Sequence, residues 1–223
     1  MWYYVVSIIL LIVSFIISLT VNYSFKKYSS VYTRESGANA AQEILDFFQI
    51  NDVQINSISG NLTDNYNPLN KTLNLSTNVF SANSISAIAV SAHECSHAIQ
   101  DKEGYPLLKL RKTLVPIANF TSYGSYFVIL LGLLMDATNL IVIGALLFSI
   151  IVLVNLVTLP VEIDASNRAL AIIEQLNLVE QKDMKGCRIV LRAAGLTYFV
   201  ALASSLLTLI RYLSIASRHR RKD

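Results

Sequence analysis

The sequence predicts a mostly α membrane protein, with about four transmembrane helices and a small α+β unit, and three observations carry that prediction. Of 223 residues, 53% fall in the hydrophobic set and 15% are charged, against roughly a quarter charged in soluble domains. Four apolar stretches approach the ~20 residues needed to cross a bilayer core of about 30 Å. Between the first and second lies a polar segment of short alternating runs. It leads into an apolar helical run ending in His93-Glu94-Cys95-Ser96-His97.

Residues 1–23 read as a transmembrane anchor. Trp2–Tyr23 is continuously apolar, with no basic residues ahead of it and no small-residue cleavage site behind it, so it is expected to be retained. Residues 24–113 form the soluble part. Gly37–Phe48 has Ala40, Ala41, Ile44, Leu45 and Phe48 on one side and predicts an amphipathic helix. Asp52–Ile58, Leu62–Tyr66 and Lys71–Leu75 read as short strands, with turn chemistry at Asn67-Pro68-Leu69-Asn70-Lys71. A small antiparallel sheet is the expectation, with Leu62–Tyr66 as an edge on which an extended substrate adds as a further strand.

Residues 114–159 predict a transmembrane hairpin, Leu114–Met135 and Leu140–Leu159, turning at Asp136–Asn139. Gly132 and the Gly124/Ser125 pair mark close helix packing. Pro160 is expected to end the third span. A new helix then runs from about Val161, with Ile163, Leu170 and Ile173 as its core-facing stripe; residues 160–192 hold this helix, which carries the third-ligand candidate, and a loop. Residues 193–223 hold a fourth, softer helix, Ala193–Ile215, that spans or lies along the membrane, and a basic tail, Arg218–Lys222.

Lys and Arg cluster after the first span (Lys26, Lys27, Arg34), before the second (Lys102, Lys109, Arg111, Lys112) and between the third and fourth (Arg168 to Arg192). The positive-inside rule places both soluble segments in the cytoplasm. The net charge of +3 fits lipid headgroup contact and not nucleic acid. Cys95 and Cys187 are too few for a disulfide framework, and Cys95 reads as a small buried filler.

Ser84–Gln100 organises the rest. Two histidines four apart lie one above the other on a helix face, so both imidazoles can bind one ion. Glu94 sits beside the first, where its carboxylate can act as a general base without ligating. This is the zincin arrangement. Burying His-Glu-His on so apolar a helix is costly without such a purpose.

A catalytic zinc takes three protein ligands and keeps a position open. His219, the third histidine, lies in the basic tail, so the remaining ligand should be a carboxylate. Glu103 stands ten residues after His93, but that geometry needs a sharp turn where this chain has Gln100. Glu162 is better placed, at the membrane exit on the side of the motif helix. As a helix-start carboxylate it also has a structural explanation, which Asp164 shares.

The segment Glu162-Ile-Asp-Ala165 resembles the Glu-x-x-Ala segment of integral-membrane gluzincins, among them the bacterial heat-shock membrane protease and the CAAX prenyl-protein endoprotease. The chain more closely resembles the small bacterial neutral zinc metallopeptidases. The similarity covers Gly60–Pro68, Ala92–Gln100, Glu103–Leu107 and Leu159–Ser166, nearly the whole length. It implies one zinc ion bound by His93, His97 and Glu162, with Glu94 catalytic. Larger gluzincin groups carry Asp where Ser166 stands, so Asp164 or a backbone carbonyl is the alternative support for the histidines.

The activity expected is metal-assisted hydrolysis of a peptide or membrane-protein substrate at a bacterial plasma membrane, with Glu94 passing the proton to the leaving amine. Tyr66, Tyr105 and Arg168 are the candidates for stabilising the oxyanion. A non-catalytic zinc-binding scaffold or regulator is the alternative; it would need a fourth protein ligand, which the chain does not obviously supply. A channel or transporter would mark an ion path, and the hairpin spans lack interior charge.

Overall fold

A computed structural model describes residues 2–219. Arg220, Arg221 and Lys222 of the basic tail lie outside the described residues, as does the side chain of His219. The described chain is mostly helical, in the order α1 (Trp2–Ser29), α2 (Gly37–Phe47), β1 (Gln54–Ile58), β2 (Asn65–Asn67), β3 (Thr72–Ser76), α3 (Thr77–Phe80), α4 (Ile85–Lys102), α5 (Pro106–Leu134), α6 (Thr138–Gln175) and α7 (Met184–His219). Among the described residues, four helical stretches are long and apolar enough to cross a membrane: Tyr3–Ser29, Pro106–Leu134, Thr138–Gln175 and Gln181–Arg218.

The chain divides into two compact units. One holds the start of α1 as far as Phe15, Lys109–Pro160, and the chain from Tyr198 onward. Within it α5 and α6 form the expected hairpin, turning at Asp136, which has a left-handed backbone (φ 53°). Gly132 does allow close approach, since a Cβ there would lie 2.8 Å from Ile141. Gly124 does not, for nothing lies within 4 Å of its added Cβ. The tighter contact falls at Gly144, unremarked in the sequence, where a Cβ would meet Ile129 at 2.3 Å.

The second unit comprises Ile16–Leu108 and Val161–Thr197. Its core gathers Ile44 and Leu45 of α2, Leu73 and Leu75 of β3, Ile85 and Ile88 of α4, and Ile173 of α6. The three-stranded sheet is not purely antiparallel. Its order is β1-β3-β2, with β1 parallel to β3 and β2 antiparallel to it. β3 takes the centre because Leu73 and Leu75 are fully buried, whereas β2 runs into Pro68, which is tolerated at an edge. The loop from β1 to β2 turns through left-handed conformations at Gly60 and Leu62. It is tied to β3 by Asp64, whose Oδ1 accepts the Ser76 amide at 2.7 Å.

Pro160 does not end a helix: α6 runs unbroken from Thr138 to Gln175. A proline in a helix interior forfeits one backbone hydrogen bond, about 3 kcal/mol in water. Membrane helices tolerate that loss where neighbours re-satisfy the backbone, and Val157 and Val161 on either side are buried. Of the expected inward stripe, Ile173 is buried and Leu170 packs against the core, but Ile163 is exposed. Val161, Ala165, Ala169 and Ile172 are buried with them.

Candidate metal centre

α4 begins at Ser84, whose hydroxyl accepts the Ala87 amide and satisfies one of the helix's open donors. Its first half packs Ile85, Ala87, Ile88, Ala89 and Ala92 into the core. That burial fixes the helix's rotation, so His93 and His97 turn toward α6 with ring centroids 4.9 Å apart. From α6, 69 residues beyond His93, Glu162 brings Oε2 to 3.0 Å from His93 Nε2 and 3.5 Å from His97 Nε2. The carboxylate is 2% exposed.

Among the described residues these three form a cluster that could hold a metal, with one donor atom from each lying within 4.8 Å of the others. The donor set fits zinc. Atoms bound tetrahedrally at roughly 2.0–2.1 Å sit about 3.3 Å from one another, between the two imidazole–carboxylate distances. Two imidazole nitrogens and one carboxylate make the three-ligand set of zinc sites that keep a fourth position for water. The group suits a single ion.

Glu94 is buried beside the cluster. Tyr66 presents its backbone N–H from β2 and donates to Glu94 Oε2 at 2.9 Å. Burial pushes the Glu94 carboxyl pKa up, and the two histidines oppose that rise. Burial disfavours a charge on His97, but the hydrogen bond and charge of Glu162, with help from Glu94 and Gln100, carry its pKa above the ordinary 6.5.

The histidines are held from behind by different residues. Ser166 Oγ stands 3.3 Å from His93 Nδ1. His97 Nδ1 lies 2.9 Å from Oε1 of Gln100, a side chain with no solvent exposure. The Gln100 amide then donates to Val161 O at 3.1 Å and to Asp164 Oδ2 at 2.7 Å. Asp164 thus reaches His97 only through Gln100. Its other partner is Arg168, whose Nε donates to it at 2.6 Å. Arg168 Nη1 meets Glu103 at 2.7 Å, so Glu103 serves an ion pair and is not part of the cluster.

The phenol of Tyr66 points elsewhere, donating to Asp101 Oδ2 at 2.9 Å, where Lys71 Nζ also arrives at 2.6 Å. Cys95 turns away from the cluster, with Sγ toward Ala41 O. Both cysteines are free and buried. Sequence reasoning missed two contributors. Gln100 was discoverable: it lies three residues after His97 and so shares its helix face. The Tyr66 amide was not, since every residue but proline carries one and only strand placement aims it.

The profile of a family described as putative neutral zinc metallopeptidase matches residues 3–217. The chain is 40% identical over 204 residues, 91% of each chain, to a Bacillus subtilis (strain 168) protein named putative membrane protease YugP. No solved structure matches.

Proposed function

We propose that this chain, which belongs to the putative neutral zinc metallopeptidase family, is a membrane-embedded zinc endopeptidase in which His93, His97 and Glu162 hold the ion and Glu94 is the general base. The observation that carries this reading is the meeting of Glu162 with both imidazoles, 69 residues beyond the first of them, with the Glu94 carboxylate buried beside them.

When bound, zinc polarises the scissile carbonyl and makes water a competent nucleophile near neutral pH. The chain supplies the rest. Glu94 takes the proton of the attacking water and returns it to the leaving amine, a role typically worth 10²–10⁴ in rate. The Tyr66 amide donates to Glu94 Oε2 and holds the carboxylate in place. Ser166 and Gln100 hold the outer nitrogens of the imidazoles, so the inner nitrogens stay aimed at Glu162. Arg168 is engaged by Asp164 and Glu103, and Tyr66 by Asp101. Their support for catalysis therefore comes through the groups they hold.

The substrate class is peptide, soluble or membrane-borne. Lys26, Lys27 and Arg34 beside α1, with the basic residues at the start of α5, favour a site on the cytoplasmic face of a bacterial plasma membrane. The test is metal content and casein hydrolysis of the detergent-purified protein, with and without a chelator, for wild type and His93→Ala. Stoichiometric zinc with chelator-sensitive cleavage, both lost in the variant, is the expected result. Zinc without cleavage of any protein substrate would leave a binding protein instead.

A further inference from the structure

Gln100 has four hydrogen-bonding positions and no solvent exposure, and its neighbours allow one arrangement. Val161 O and an oxygen of Asp164 both face its far end, and both accept. The amide NH₂ must therefore point at them, because the reverse orientation would set an oxygen against two oxygens. Oε1 is left facing His97 Nδ1 at 2.9 Å, and an oxygen there requires the ring nitrogen to donate. The orientation continues outward: Asp164 is held by Arg168 at 2.6 Å, and Arg168 by Glu103 at 2.7 Å.

We infer that Gln100 is a positioning residue that fixes His97 as its Nδ1–H tautomer, so that Nε2 keeps the lone pair turned toward Glu162 and the metal. The inference rests on the metal reading above and extends it to a residue that touches neither ion nor substrate. Gln100 links the two helices that supply the ligands. His97 and Gln100 belong to α4, Val161 and Asp164 to α6, so one amide sets the ring's tautomer and the spacing of its helix from Glu162. Ser166 does the simpler service for His93: a hydroxyl can give or take a proton, so it holds that ring without dictating its tautomer.

The test uses the full-length protein in detergent, with zinc affinity read by competition against a chromophoric chelator. Gln100→Leu should weaken zinc binding about 10–100-fold, the usual effect of removing a group that orients a ligand. Gln100→Glu keeps an oxygen on His97 Nδ1 and should retain at least tenfold more affinity than Gln100→Leu. A contribution from packing alone would not separate the two in that order. Should Gln100→Leu fail to fold, the tautomer of His97 decides. The chain has three histidines, so ¹⁵N shifts of the zinc-loaded protein can report the tautomer, and a protonated Nδ1 on His97 is expected. Equal affinity in all variants, or a His97 bound through Nδ1, overturns the role of Gln100. Absence of zinc binding in wild type would overturn the metal reading itself.

Discussion

Glu94 and Tyr66 separate two kinds of contribution at the scale of single residues. Glu94 is not one of the three residues of the cluster, so Glu94→Gln should keep zinc while kcat falls by about 10²–10⁴. Single-turnover cleavage alongside metal content checks both halves. For Tyr66, only the backbone touches the site, since the phenol is spent on Asp101. Tyr66→Phe should cost stability, about 1 kcal/mol for one hydrogen bond to a partly buried carboxylate, with kcat reduced less than tenfold. A loss of 10²–10³, the magnitude seen when an oxyanion donor is removed, would return the phenol to the reaction. Lys71 also holds Asp101, so that carboxylate keeps a partner in the variant.

At the scale of elements, α4 carries the burden, and its start is the place to weigh it. Ser84 is buried and caps Ala87, so Ser84→Ala should cost about 1 kcal/mol. In a chain of this size that corresponds to roughly 2–4 °C in Tm, measured with zinc removed so that metal binding does not mask it. A loss much beyond this would mean that the cap also fixes the approach to α4, where Ile85 N donates to Val31 O. The elements also show where local signals gave way. Helix α2 follows its amphipathic pattern within a residue, because one face is buried and the other wet. The sheet departs from a simple meander because burial of Leu73 and Leu75 outranks sequence order. α6 passes Pro160 because a membrane helix tolerates a proline where its neighbours satisfy the freed backbone group.

The whole molecule joins folding to the ion. A bound metal stabilises the fold by mass action, about 2.7 kcal/mol at a hundredfold excess over Kd, so a chelator should lower Tm as well as end activity. Protons compete for the same nitrogens. The pKa of His97 lies above the usual value in the metal-free site, so lowering the pH toward and below that value fills the nitrogen that zinc requires. Apparent zinc affinity should therefore fall steadily from about pH 8 to about pH 5, as chelator competition across that range would show; a flat profile would contradict histidine ligation.

Topology can be read separately by labelling. Cys95 and Cys187 are buried, so cysteines introduced at exposed Asn51 and Glu180 should react from one side of the membrane. One at Met135, 68% exposed in the α5–α6 turn, should react from the other.

Much of this was written locally. The span count follows from hydropathy, which needs no knowledge of neighbours, and the histidine pair follows from the fixed 3.6-residue turn of a helix. The resemblance to the zinc metallopeptidase family implies Glu162 as the partner of that pair. The sequence alone determined the four apolar spans, the histidine pair and the candidate carboxylates, though not that α6 continues through Pro160. Only the tertiary structure decided that Glu103 belongs to Arg168, that β3 lies at the centre of the sheet, and that Gln100 and the Tyr66 amide complete the surroundings. Those choices depend on how distant segments compete for the same buried volume and the same hydrogen bonds, a competition that exists only once the chain has folded.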